Sequence, residues 1–339
     1  MVASKVAGDE DQGRTTVLEH PKGTVHLAPL PSGGRRLTVE LHDASVYSPR
    51  LSCETSYPVS LVAELLRVKG PAWLCDEIVR DIDRGYVEHN LRYTVLPFVE
   101  EPALERRRLL DFGCGAGSST MALWRLFPRT DIVGVELKDD LLEIARLRAE
   151  YYGANSVQLE RSPAPDKLPR HIGSFDFIVF SAVYEHLLPE ERRKLLPLLW
   201  SVLNPGGVVF INELPHRWFA LESHTTGLPL INFVPDRSAH WIATRLSRRI
   251  GRDASWPQLL RDGIRGGTAR EVLRDFSAAG DPRSLKPHRM GMTDMVDLWY
   301  MVGPPTPKRR GLRAGLKLVN VVGDGSYAPY LYLAIQKEA

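Results

Sequence analysis

The chain is poor in cysteine. Cys53, Cys75 and Cys114 are its only three among 339 residues, an odd number without a C-x2-C spacing. That excludes a disulfide framework and a cysteine zinc site, and it points to a reducing, cytoplasmic home. Long apolar runs are missing too: nothing approaches the roughly 20 residues that cross a bilayer. The first twenty residues, with Asp9, Glu10 and Asp11, lack the basic start and apolar stretch of a secretory signal. Charge of one sign is not in excess: 44 Lys plus Arg against 41 Asp plus Glu leave +3, too little to argue for nucleic acid. Internal repeats, low-complexity tracts and RRM, KH or zinc-knuckle patterns are absent.

What is present is ordinary globular material, 43% hydrophobic and 25% charged. At about 150 residues per domain the length fits two domains, or one with insertions. Residues 1 to about 20 read as a polar tail, 24–28 and 36–41 as short strands, and 59–100 as helical. From 107 the pattern becomes strand–helix alternation. Strands are expected at 107–112, 132–136, 157–160, 175–181 and 208–212, and helices at 118–127, 141–152 and 189–203. Pro189 suits a first helical turn, and Asn204-Pro205-Gly206-Gly207 reads as a closing turn. A helix at 268–276 and strands at 284–286 and 330–336 complete the pattern. The expectation is a doubly wound, mostly parallel α/β sheet of seven strands over 105–339, preceded by an N-terminal extension and helical cap over 1–104. Insertions follow strand five (214–265, read as a lid) and precede the last strand (288–326).

The sharpest signal is Asp111-Phe112-Gly113-Cys114-Gly115-Ala116-Gly117, between a strand and a helix. Glycines there let the chain turn tightly and let a ligand approach the backbone. The next strand ends in Glu136, where a carboxylate can accept both hydroxyls of a ribose. The run is G-x-G-x-G rather than the dinucleotide pattern G-x-G-x-x-G.

This loop resembles motif I of the class I methyltransferases that use S-adenosylmethionine. Ile132–Leu137 resembles their ribose motif, Phe175–Leu187 their fourth-strand motif, and Leu203–Gly207 their L-x-P-G-G turn. The match covers about 105–213 plus the final strand. The resemblance implies S-adenosylmethionine as donor, with S-adenosylhomocysteine as product. It places Asp111 near the methionyl amino end, Gly113, Cys114, Gly115 and Gly117 beneath the cofactor, Glu136 on the ribose and Leu137 on the adenine. Ser181 and Tyr184 would line the methionyl side. Where the family often has Gly-Asp-Ala after strand three, this chain has Ser162-Pro163-Ala164. Pro163 and Ala164 would then offer only backbone to the adenine, with Asp166 as a neighbouring acceptor.

Methyl transfer to a hydroxyl needs alignment and a base. His186, after strand four beside Glu185, and His224, within the inserted lid, are the expected catalytic candidates, with His216 third. If no histidine serves, Glu213, Glu185 or a metal would take the role. Glu213, His216, Glu222 and His224 cluster in sequence, yet no HExxH pattern supports a metal, and none is expected. The leading reading is O-methylation of a small-molecule, glycan or lipid-like acceptor. Small-molecule C- or N-methylation, RNA or protein methylation, and an inactive scaffold are the alternatives. Two basic segments, 241–250 and 308–319, fit an amphipathic helix lying on an anionic membrane or, equally, arginines facing solvent around a packed apolar stripe. Residues 24–41 could add an edge hairpin or a homodimer contact.

Overall fold

A computed structural model describes residues 15–321 and 325–338. The chain starts with four antiparallel strands in sequential order, β1 (Thr16–His20), β2 (Gly23–Pro29), β3 (Arg35–Leu41) and β4 (Ser52–Thr55). Val25 and Leu27 on β2, and Leu37 and Val39 on β3, are buried while their neighbours are more exposed, the period-two pattern of a sheet covered on one face. The cover is α1 (Val59–Lys69) and α2 (Pro71–Ile82), whose Leu61, Leu65, Leu74 and Ile78 join the same apolar cluster. Two further helices, α3 (Val87–Val95) and α4 (Glu101–Leu104), lead into the main sheet. The polar-tail expectation is therefore corrected for 16–20, which pair with β2 from Thr16↔Leu27 to His20↔Gly23. β4 was not anticipated: its four residues are too few to show alternation.

The second part follows the strand–helix alternation. It comprises β5 (Arg108–Phe112), α5 (Ser118–Leu126), β6 (Asp131–Glu136), α6 (Asp139–Tyr152), β7 (Gln158–Arg161), β8 (Phe175–Ser181), α7 (Pro189–Val202) and β9 (Leu203–Pro215). Then come β10 (Leu221–Glu222), β11 (Leu228–Pro229), α8 (Asp236–Leu246), α9 (Trp256–Arg261), α10 (Ala269–Ser277), β12 (Pro282–Leu285), α11 (Met295–Val302), α12 (Pro307–Asn320) and β13 (Tyr330–Lys337). The seven-stranded sheet runs β12-β13-β9-β8-β5-β6-β7. It is parallel from β7 to β9, while β13 is antiparallel to both β9 and β12. The mostly parallel seven-stranded expectation holds. Because β5 pairs with β6 on one side and β8 on the other, the winding reverses there, which opens a groove at the carboxyl ends of those strands.

The structure also changes several local readings. Asn204–Gly207 is a bulge in β9 rather than a free turn: pairing jumps from Phe175↔Leu203 to Phe177↔Val208. The insertion after β9 has its own small core of Ile231, Ala239, Ala243, Leu259 and Ile264. On α8 Ala239 and Ala243 are buried in that core and Ile242, with Ile250 beyond the helix, packs against it, while Trp241 and Leu246 are exposed. On α12 the cations are held by α11: Arg313 reaches Asp297 at 2.7 Å, and Lys317 reaches Asp294 and Asp297 at 2.7 and 2.8 Å. Among the described residues no helix is long and apolar enough to cross a membrane.

The cap and the sheet are joined by buried charge. Arg148 of α6 has no exposed side-chain surface. Its Nη1 donates to Ala116 O (2.8 Å), Ser118 Oγ (2.6 Å) and Glu77 Oε1 (3.1 Å), and its Nη2 to Glu77 O (2.7 Å). Burial alone would raise the Glu77 carboxyl, but Arg148 and Lys69 hold it down to about 2. Its contribution is thus present above the ordinary carboxylate pKa and is lost as pH falls toward 2. Arg148→Met removes one partner of a buried pair and should lower the urea-unfolding free energy by about 3–5 kcal/mol at neutral pH. The difference from the wild type should shrink in acid.

Candidate active site

The glycine loop follows β5 and is pinned beneath β6: Gly113 N and Cys114 N both donate to Val135 O, at 2.8 and 3.0 Å. Two glycines have distinct reasons to be there. Gly115, at φ +56, would point a Cβ into open space, whereas at Gly117, φ +86, a Cβ would lie 2.9 Å from the Ala145 Cα on α6. Gly115 therefore keeps a cradle clear, and Gly117 lets α5 and α6 approach. Glu136 ends β6 and accepts from Gly115 N (2.9 Å) and Lys138 N (3.0 Å). Each carboxylate oxygen keeps a second lone pair for a ribose hydroxyl.

A cavity of about 340 Å³ lies over the loop. Gly113, Cys114, Gly115, Ala116, Ser118 and Ser119 form one side. Lys69, with Trp73, Asp76, Glu77 and Arg80 of α2, and Val87, Asn90 and Leu91 of α3, form the other. Ser181, Ala182 and Glu213 close the end at β8 and β9. The cap thus folds over the groove. No residue of the expected lid, 214–265, lines this cavity.

Glu213 is the residue whose place here the sequence reading undervalued. Its backbone is left-handed, at φ +58, a strained state for a side-chain-bearing residue. Its carboxylate accepts from Asn90 Nδ2. Burial raises its pKa, opposed by Arg80 and Asn90. The signal available in sequence was only its position just past the fifth strand.

The other candidates divide. Asp111 is buried and accepts from Ser119 and Thr120 hydroxyls, both at 2.7 Å, bracing the start of α5; burial lifts its carboxyl to about 6. Cys114 is buried and its thiol is pushed well up by burial, which disfavours the thiolate. Ser181 lines the cavity and its Oγ accepts from Asn212 Nδ2 at 3.1 Å. Leu137 and Ala164 are half-buried and Pro163 is exposed. Ser162 N donates to Glu136 O, so the turn after β7 sits beside the end of β6. Asp166 instead pairs with Lys194 at 3.2 Å.

Tyr184 faces away from the groove. Its hydroxyl donates to Asp275 at 2.9 Å, Arg192 lies 4.1 Å over its ring, and it lines a second cavity of about 440 Å³. That cavity gathers Arg192, Arg193, Arg217, Arg265 and Arg274. Neither His186 nor His224 lines the glycine-loop cavity. They lie side by side, ring centroids 5.6 Å apart, with Glu185. Burial lowers both pKa values, His224 to about 4. The sequence cluster of Glu213, His216, Glu222 and His224 is dispersed: Glu222 accepts from Thr225 N and Thr226 N, and His216 Nδ1 accepts from Trp218 N.

Residues 109–207 match the family model for a methyltransferase domain. With its sheet order and glycine loop, the chain has the Rossmann-like fold of class I methyltransferases, whose methyl donor is S-adenosylmethionine. An uncharacterized protein of Rickettsia prowazekii, RP028, is 34% identical over 116 residues, covering 34% of this chain and 46% of that protein. The ubiquinone biosynthesis O-methyltransferase of Acinetobacter baylyi is 23% identical over 128 residues, 37% of this chain and 52% of the enzyme. The solved structure of PKMT2 from Rickettsia typhi is 17% identical with a TM-score of 0.45, covering 75% of this chain and 53% of that one. The chain spans about half the length of the two curated relatives.

The open space at Gly115 and the Glu136 carboxylate fit this donor. Gly115→Ala should keep the fold, at a left-handed cost of about 1–2 kcal/mol, yet weaken S-adenosylmethionine binding by at least an order of magnitude in calorimetry. Gly117→Ala should do the reverse, lowering the thermal midpoint through its contact with α6.

Proposed function

We propose that the protein transfers a methyl group from S-adenosylmethionine to a hydroxyl of a small, partly polar acceptor, with Glu213 as general base. S-adenosylmethionine, when bound, supplies a methyl activated by the sulfonium and leaves as S-adenosylhomocysteine. Gly113, Gly115 and Glu136 would hold it, as the family pattern implies. The observation that carries the reading is that the Glu213 carboxylate and the glycine loop wall the same cavity.

The acceptor's chemistry follows from the walls. Asp76, Arg80 and Asn90 supply polar contacts, while Trp73, Val87 and Leu91 supply apolar surface. A glycan- or lipid-linked hydroxyl is the larger version of the same acceptor. Aligning the hydroxyl oxygen with the methyl is the cavity's first task. Taking up the hydroxyl proton falls to Glu213, because burial raises its basicity into a more useful range. The name of the ubiquinone O-methyltransferase relative supports oxygen as the acceptor atom.

The test is release of S-adenosylhomocysteine with a panel of phenols and hydroxy acids. Glu213→Gln should lower kcat by about 100- to 10,000-fold, with donor affinity nearly unchanged. Glu213 acts only when ionised, so the wild-type rate should rise with pH through a midpoint above the ordinary glutamate value of about 4.3. The variant should lose that limb. A near-full rate in Glu213→Gln, with the loss appearing in His186→Gln, returns the role to the histidine.

A further inference from the structure

We propose that Glu185, His186 and His224 form a divalent transition-metal site, suited to zinc, which fastens the insertion after β9 to the turn after β8. This goes beyond the methyl-transfer reading and does not depend on it. One donor atom from each residue lies within 4.8 Å of the other two. Tetrahedral ligands about 2.1 Å from zinc stand about 3.4 Å apart, so closing on an ion needs shifts of roughly an ångström.

Two observations separate this trio from a chance grouping. Glu185 is 1% exposed, and neither carboxylate oxygen meets a hydrogen-bond partner. Among the described residues its one ion-pair neighbour is His186, at 3.8 Å. A buried carboxylate without a hydrogen bond is costly; Arg192 attracts it without forming an ion pair, and a cation bound directly to it would offset that cost. The second observation is the orientation of His186. Its Nδ1 lies 2.5 Å from Arg261 O, and a carbonyl can only accept, so Nδ1 carries the proton. Nε2 is left with a free lone pair on the Glu185 side. A backbone carbonyl holding the far nitrogen is how proteins orient ligating histidines.

The donor set selects the ion. Two imidazole nitrogens and one carboxylate suit zinc or a neighbouring first-row metal better than magnesium or calcium, which prefer all-oxygen shells. Three protein ligands leave a position for water. His186 is 41% exposed on its side chain, which gives the ion a path in. Glu185 and His186 belong to the turn after β8, while His224 and the supporting Arg261 carbonyl belong to the insertion. Gly263 completes the packing: a Cβ there would lie 2.8 Å from His224 and 3.1 Å from Glu185.

Chelator-stripped full-length protein is titrated with zinc chloride by calorimetry and, separately, with cobalt chloride by visible absorption. The expected result is one equivalent bound and an intense cobalt band of low coordination number. Glu185→Gln and His224→Gln should each weaken zinc binding by about 100-fold and abolish the band, while Glu213→Gln keeps both. Limited proteolysis within 214–265 should be faster in the stripped protein than in the zinc-loaded one. If each variant proves poorly folded by circular dichroism, His186→Asn, at the more exposed position, carries the same expectation. Absence of stoichiometric uptake by the wild type, or uptake unchanged in the folded variants, overturns the site.

Discussion

The buried guanidinium of Arg148 is the constraint on which the rest of the structure depends. It contacts the glycine loop at Ala116, the start of α5 at Ser118 and α2 at Glu77 in one constellation. A charge without exposed surface is tolerated only where opposite charges and acceptors surround it. Glu77 and Asp81 from α2 supply the negative side, and Asp81 in turn holds Arg125, which also pairs with Glu88 of α3 at 2.8 Å. The helical cap is therefore attached by a network whose removal would expose uncompensated charge on both sides. Since α2 and α3 are also the far wall of the cavity, the network that holds the cap fixes the shape of the site.

A second constraint acts at the ends of the central strands. Ala182, just beyond β8, and Glu213, near the end of β9, both adopt left-handed backbone, at φ +51 and +58. Ser181, Ala182 and Glu213 face the glycine-loop cavity, whereas Tyr184 and Glu185, only two or three residues further, face the arginine-lined one. The turn after β8 thus divides two cavities. Burial raises the Glu185 carboxyl to about 8, and the charge of Glu213 adds to that rise. The two sides are thus electrostatically linked, through the charge of Glu213 acting on Glu185, though built from different side chains.

Local order was legible in the sequence wherever it depended on neighbours in the chain. Apolar runs such as Phe175–Ser181 read as buried parallel strands, and the spacing of Asp111, the glycines and Glu136 placed the groove at the right strand ends. What escaped were pairings decided by distant partners. Residues 16–20 look polar because one face of β1 is exposed, and only the pairing with β2 makes them a strand. Nothing near Arg148 in the chain marks it as a buried charge, since its acids lie about seventy residues earlier. Tyr184 was placed at the right loop but turned by Asp275, 91 residues later.

On the proposed reading, the choice of acceptor falls to the cap and not to the insertion after β9. His186 was expected to face the groove because its strand does, yet the turn after β8 directs it toward Arg261 and His224, both in the insertion. That insertion lines the arginine-bearing cavity through Arg217, Asp236, Leu260 and Arg265, and contributes nothing to the glycine-loop cavity. The walls opposite the loop come instead from Lys69 to Leu91, in the region that precedes the Rossmann-like sheet. Trp73, Asp76 and Arg80 are free of the demands of the apolar core, because they sit on the side of α2 that Leu74 and Ile78 do not occupy. A change of side chain at those three positions would alter the cavity without disturbing the apolar face that holds α2 in place. On the proposed reading, acceptor specificity can therefore diverge through the cap while the loop and sheet beneath stay the same.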